Sequence, residues 1–183
     1  MVLSAETATP FDTIDLRNTL GKFATGVTVI TTRGADGRHV GITANSFTSV
    51  SLDPPLLLFC LANSSPILPV FETAEHFAIH VLAVDQHQLS RQFATPAIDK
   101  FSGLAVTEDD VGTPEIQDVL ARFSCRTVSR TTEGDHTIFI GHVRSYKRLE
   151  GDPLVFFSGK YRVSQDHPAI LPRRAEGAAG HVA

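Results

Sequence analysis

Residues 123–163, FSCRTVSRTTEGDHTIFIGHVRSYKRLEGDPLVFFSGKYRV, decide the fold class. They read as three strand-like segments, Phe123 to Arg130, Thr137 to Leu149 and Leu154 to Val163, rich in β-branched and aromatic residues. Glu133-Gly134-Asp135 and Glu150-Gly151-Asp152-Pro153 separate them with turn chemistry. Connections this short reverse the chain, and consecutive reversing strands pair antiparallel. The expected class is therefore α+β and mainly antiparallel, a barrel or sandwich rather than a doubly wound parallel sheet.

Working outward, Val27 to Thr32 and His39 to Leu52 are strand-like around the turn Gly34-Ala35-Asp36-Gly37, which predicts a hairpin. Leu56 to Ala62 is an unbroken apolar run, the pattern of a strand buried on both faces. Helices are expected over Asp12 to Thr25, with Ile14, Leu16, Leu20 and Phe23 on one face, over part of Ser65 to His76, and over Asp85 to Ala94 behind an aspartate cap. Phe77 to Ala83 completes the strands. Of the eight histidines, His76 and His80 are the closest pair, and a helix-to-strand change between them is expected to keep them off a common face.

The 183 residues suit one domain, expected over 12–170, with a flexible segment at 1–11 and a disordered tail at 171–183. At 42% hydrophobic and 20% charged the chain has a soluble protein's composition, and its longest apolar run is far too short for a membrane span. A net charge of -4 gives no basic field for nucleic acid. No signal-like N-terminus is present, so a cytoplasmic location is expected, and Cys60 and Cys125 read as reduced core residues.

No glycine-rich dinucleotide loop, phosphate loop, H-E-x-x-H helix or G-x-S-x-G elbow occurs, so a bound nucleotide needs another device. The unusual stretch is Gly41 to Pro55, GITANSFTSVSLDPP. On a strand it places Ala44, Ser46 and Thr48 on one side and Thr43, Asn45, Ser49 and Ser51 on the other, so both faces carry polar atoms. Small hydroxyls and an amide suit a hydrogen-bonding heterocycle, although a Thr/Ser-rich edge strand gives the same pattern. His136 follows a turn at the head of an apolar strand, where it is either a ligand contact or a solvent-facing turn residue. Lys100, within Asp99-Lys100-Phe101 after Phe93-Ala94, offers a cation for phosphate or is an ordinary surface lysine. Ser158-Gly159-Lys160-Tyr161-Arg162 adds a glycine, an aromatic and two cations.

Taken in order, Phe23-Ala24-Thr25-Gly26-Val27-Thr28-Val29-Ile30-Thr31-Thr32, Thr43 to Ser51 with Pro54-Pro55, Asp99-Lys100-Phe101, Gly134-Asp135-His136 and Gly159-Lys160-Tyr161-Arg162 resemble the flavin reductase-like family, the reductase component of two-component flavin-dependent monooxygenases. The resemblance covers roughly Asp12 to Val163. It implies a split β-barrel of the FMN-binding type with a few flanking helices, a homodimer with flavin near the subunit interface, and NADH or NADPH as hydride donor to FMN or FAD. The residues it assigns to the flavin are Thr43, Ala44, Asn45, Ser46, Thr48, Ser49 and Ser51, with Asn63, Ser64 and Ser65 beside them. Phe93 and Ala94 border the same site, and Lys100 neutralises the phosphate. Gly134, Asp135 and His136, with Tyr161 and Arg162, would seat the nicotinamide. No catalytic acid, base or metal is expected, and a monooxygenase would receive the reduced flavin. A non-catalytic flavin- or haem-binding split barrel and an oxidase with tightly held FMN remain the alternatives.

Overall fold

The computed structural model describes residues 11–96 and 99–167; the expected tail and nearly all of the N-terminal segment lie outside them. A helix α1 (Thr13–Leu20) opens the described chain, followed by β1 (Thr25–Gly26), β2 (Thr28–Arg33), β3 (His39–Ala44), β4 (Thr48–Leu52) and β5 (Pro55–Ala62). Next come α2 (Leu68–Thr73), β6 (His76–Val81) and α3 (His87–Ala94). The last elements are β7 (Val106–Glu108), β8 (Pro114–Ile116), β9 (Ala121–Glu133), β10 (His136–Arg148), β11 (Leu154–Phe157) and β12 (Lys160–Val163).

Seven strands form one sheet in the order β3-β2-β6-β9-β10-β5-β4, every pair antiparallel. The expected antiparallel class is thus observed. β3 and β4 are the two edges, yet only Asn45–Phe47 separate them in sequence, so the chain itself joins one edge to the other. Ser46 completes the closure: its Oγ accepts from the Cys60 N–H and donates to the Cys60 carbonyl, both at 3.0 Å, standing where a neighbouring backbone would pair. The single long strand expected over His39 to Leu52 is therefore two, and the polar atoms on both its faces belong to a corner.

Two apolar clusters hold the sheet. One centres on Phe59, which stacks on Phe139 at 4.9 Å and meets Phe77 edge-on at 5.1 Å. The other gathers Val27, Val29, Leu82, Leu89, Phe93 and Leu154 beneath α3. The strand buried on both faces is β2, not β5: Thr28 to Thr32 are all buried, and the hydroxyls of Thr28, Thr31 and Thr32 donate to the carbonyls of Ala44, Pro114 and His76. In β5 only Leu57, Phe59 and Leu61 are buried and their neighbours alternate outward. A threonine can serve an internal strand when a carbonyl takes its proton, which hydropathy alone does not register.

Several boundaries differ from expectation. α1 stops at Leu20 because Gly21 caps it, and none of its residues is buried; Ile14, Leu20 and Phe23 stand exposed. α3 begins after Gln86 with no side-chain cap, rather than behind Asp85. Leu154 to Val163 is a hairpin, β11–β12, turned at Ser158-Gly159, where both residues have positive φ (47° and 75°). His76 and His80 share strand β6 and, four apart, one face. His80 is a satisfied core histidine: Nδ1 lies 3.0 Å from the Val29 carbonyl and Nε2 accepts from the Ile116 N–H, while burial pulls its pKa down to about 4. Both cysteines are free, as expected. Among the described residues no helix is long and apolar enough to cross a membrane, and no side-chain cluster could hold a metal ion.

Candidate active site

The corner at Asn45 organises the cavities. A space of about 270 Å³ is lined by Ile42 to Ser46, Cys60 to Ala62, Ser65 and His136. A second, about 190 Å³, is lined by Val27, Thr43 to Asn45, Ser90, Ala94, Phe156 and Tyr161. A third, about 650 Å³, runs from α1 to the Ser158-Gly159 turn. Asn45 lines all three, and its amide makes no hydrogen bond among the described residues.

His136 stands at the head of β10, reached through a turn in which Gly134 adopts φ 61°. Its Nδ1 lies 2.7 Å from Asp135 Oδ1, and this contact, a hydrogen bond first and charge second, holds the Asp135 carboxyl below its ordinary value. Nδ1 is the donor in this contact, because a carboxylate oxygen only accepts. Asn63 locks the turn from behind: its N–H donates to the Asp135 carbonyl, Nδ2 to the Gly134 carbonyl, and Oδ1 accepts from the Thr137 hydroxyl. Opposite, Thr43 Oγ1 donates to the Ser90 carbonyl at 2.6 Å, and Ser90 Oγ meets the Tyr161 hydroxyl at 2.8 Å, tying β3, α3 and β12 into one wall.

Among the described residues two buried hydroxyls have no partner, Ser65 Oγ in the 270 Å³ cavity and Thr25 Oγ1 in the 650 Å³ cavity. An orphaned buried hydroxyl costs ~1–3 kcal/mol, a cost that a polar ligand atom would remove. Among the described residues no carboxylate lines any of the three cavities. Hydroxyls, an amide and one imidazole fit a ring with several hydrogen-bonding atoms, and the arrangement holds and orients rather than transferring protons.

The structure gathers Thr43, Ala44, Asn45, Ser46, Ser65 and His136 around one space, and Ala94 and Tyr161 around the adjoining one. Other expected residues lie outside these cavities. Phe93 is 0% exposed, packed edge-on against Phe101, and presents no surface to a ligand. Thr48, Ser49 and Ser51 sit on the edge strand β4, and Ser64 is exposed in its turn. Lys100 donates from Nζ to the Phe93 carbonyl at 2.7 Å, satisfying the end of α3, and partial burial lowers its pKa. Arg162 is exposed on β12. Cys60, Ser90 and Phe156 were not anticipated. Ser90 was findable as a serine among the inward positions of α3, beside Leu89 and Phe93.

Residues 20–165 match the flavin reductase like domain family. The chain belongs to that family. Among its relatives, the FMN reductase (NADH) SmoA of Agrobacterium fabrum is 48% identical over 145 residues, 79% of this chain and 82% of SmoA. The reductase component of the flavin-dependent trigonelline monooxygenase of Acinetobacter baylyi is 43% identical over 147 residues, 80% of this chain but only 47% of that protein. A solved family structure, the NADH:FAD oxidoreductase of Streptomyces globisporus in complex with NAD and FAD fragments, superimposes with a TM-score of 0.80 at 35% identity, covering 90% of this chain and 99% of that one. The split barrel expected from the sequence is the fold of such relatives.

Proposed function

We propose that this chain is an NAD(P)H-dependent flavin reductase that supplies reduced FMN or FAD to a separate monooxygenase component. The observation that carries the reading is the Asn45 corner, with an unused amide, an orphaned Ser65 hydroxyl and His136 around one cavity that no carboxylate among the described residues lines. When bound, flavin accepts a hydride from reduced nicotinamide, and the two heterocycles supply the redox chemistry themselves. The chain's task is to orient. Asn45, the Thr43–Ser46 backbone and Ser65 offer donors and acceptors to the ring edge, while Ser46 keeps the wall closed through Cys60. His136, its ring held by Asp135, borders the open side and seats the nicotinamide, with Tyr161 on the adjoining wall. Lys100 has two ammonium protons beyond the one given to Phe93, available to a phosphate.

A homodimer fits the exposed apolar side chains at the N-terminal helix, where Ile14 and Leu20 of α1 and Phe23 just after it lack cover among the described residues of one chain. A two-component arrangement follows the analogy with the Acinetobacter relative, whose name makes it the reductase component of a monooxygenase. Steady-state turnover with each pairing of NADH or NADPH with FMN, FAD or riboflavin tests the proposal. Loss of the reduced nicotinamide's near-ultraviolet absorbance with at least one pair is expected, and no loss with any pair refutes it. Replacing His136 by Ala should raise KM for the nicotinamide more than it changes flavin affinity.

A further inference from the structure

Between α3 and β7 the chain turns through Lys100 to Leu104, and one side chain of α3 holds that turn twice. Gln92 Nε2 donates to the Lys100 carbonyl at 2.8 Å and to the Ser102 carbonyl at 3.1 Å, straddling Phe101. Its side chain makes no other hydrogen bond among the described residues. The turn also ties itself: the Phe101 N–H donates to the Asp99 carboxylate at 2.9 Å, and the Leu104 N–H to the Phe101 carbonyl at 3.1 Å. The Phe101 ring stands edge-on to Phe93 at 5.0 Å and to His39 of β3 at 5.4 Å, and His39 Nε2 lies 2.8 Å from Glu108 Oε1 at the end of β7. Lys100 is thereby fixed at both ends on consecutive residues of α3, its carbonyl by Gln92 and its ammonium by the Phe93 carbonyl at 2.7 Å. The carboxylate beside it is turned to the backbone, and Lys100 forms no ion pair among the described residues.

A long cationic side chain ordinarily loses rotamer freedom when it grips an anion, and one that is already held has lost that freedom beforehand. The Phe93 bond uses one ammonium proton and leaves the others for an anion. We propose that Gln92 is a positioning residue for the flavin phosphate, holding Lys100 so that its ammonium meets the phosphate already ordered. The proposal rests on the flavin reductase reading, with Lys100 as the phosphate's cation, and adds the residue through which that cation is set. Gln92 itself touches neither flavin nor nicotinamide in this account.

The test measures dissociation constants of FMN and riboflavin, by quenching of flavin fluorescence, for the full chain and for Gln92→Met, Lys100→Ala and the double variant. Methionine keeps the length and helix preference of the side chain and removes both donors. Gln92 is half-buried on a helix whose inward residues are Leu89, Ser90 and Phe93, so folding should survive, as a thermal melt verifies; Gln92→Ala, with the same expectations, serves if the methionine variant melts early. Gln92→Met should weaken FMN about three- to tenfold, the scale of releasing one long side chain, and leave riboflavin within about twofold. In the Lys100→Ala background the same substitution should not move the FMN-to-riboflavin ratio further, because its effect passes through the lysine; a residue that only supports the fold would weaken both flavins in either background. If Lys100→Ala weakens both flavins equally, the phosphate reading fails and the proposal falls with it. If Lys100→Ala discriminates between the flavins but Gln92→Met does not, or Gln92→Met still moves the ratio once Lys100 is gone, the phosphate reading stands and the role of Gln92 is overturned.

Discussion

Replacing Gly41 by Ala probes the link between the core and the site. A Cβ at Gly41 would lie 2.5 Å from Phe93 Cε1 and 2.8 Å from Cδ1, with the Ile30 carbonyl at 3.3 Å. Ordinary contact begins near 3.4 Å, so the ring must retreat by 3.4 minus 2.5, or 0.9 Å. Phe93 has no free side to move into, being fully buried and braced by Phe101 at 5.0 Å. Overpacking of this kind costs ~1–3 kcal/mol, offset by ~0.4–1 kcal/mol from the stiffer unfolded chain, leaving a net loss of about 1–2 kcal/mol. For a domain of this size that is a fall in Tm of about 2–8 °C. Gly26→Ala is the control, because its Cβ meets nothing within 4 Å and any unfolded-state effect is shared. Urea unfolding should rank Gly41→Ala well below Gly26→Ala. Adding Phe93→Leu should recover ~0.5–1 kcal/mol relative to additivity. Because Phe93 carries α3, whose Ser90 and Ala94 line the site, flavin affinity should fall as well. Equal stability of the two alanine variants would refute the account of Phe93 as a packed core ring.

Ser65→Ala should leave the ligand-free protein as stable or up to about 1 kcal/mol more so, since it deletes an orphaned hydroxyl, while flavin binds roughly tenfold more weakly; a clear loss of stability without ligand would contradict this. His80 stays neutral in the fold down to about pH 4, whereas its ordinary pKa is 6.5, so the unfolded chain binds the extra proton and stability falls with pH between those values. From pH 7.5 to 5, above the carboxylate range, this amounts to about 2 kcal/mol, and His80→Gln should flatten that part of the urea-unfolding profile. Lys100→Ala should cost about 1 kcal/mol through the lost Phe93 bond and weaken FMN and FAD but not riboflavin; equal weakening of all three would remove the phosphate role.

Antiparallel pairing was legible because turn chemistry at Gly134 and Gly151 is local. The edge-to-edge closure was not, since it depends on the corner at Asn45–Phe47, where Ser46 meets Cys60 just beyond the β4–β5 pairing, a contact that period-two alternation cannot show. The Thr43–Ser46 wall stood out by its polar atoms on both faces, whereas Thr48, Ser49 and Ser51 shared that signal and lie on an outer edge. Phe93 looked like a ligand neighbour only because its helix ends beside the site; the glycine at Gly41 that makes room for it lies 52 positions earlier, 93 minus 41. Arg17 and Lys22 carried no motif and Thr25 stood only within the Phe23 to Thr32 stretch; the packing of the β11–β12 turn on Gly21 brings them together.

A crystal structure of the protein with FMN tests the central claim most directly. The account predicts the three-ring system against Asn45 and Ser46, a flavin atom within hydrogen-bond reach of Ser65 Oγ, and His136 beside the exposed ring face. Flavin bound elsewhere on the chain, with the space around Asn45 empty or closed, would contradict it.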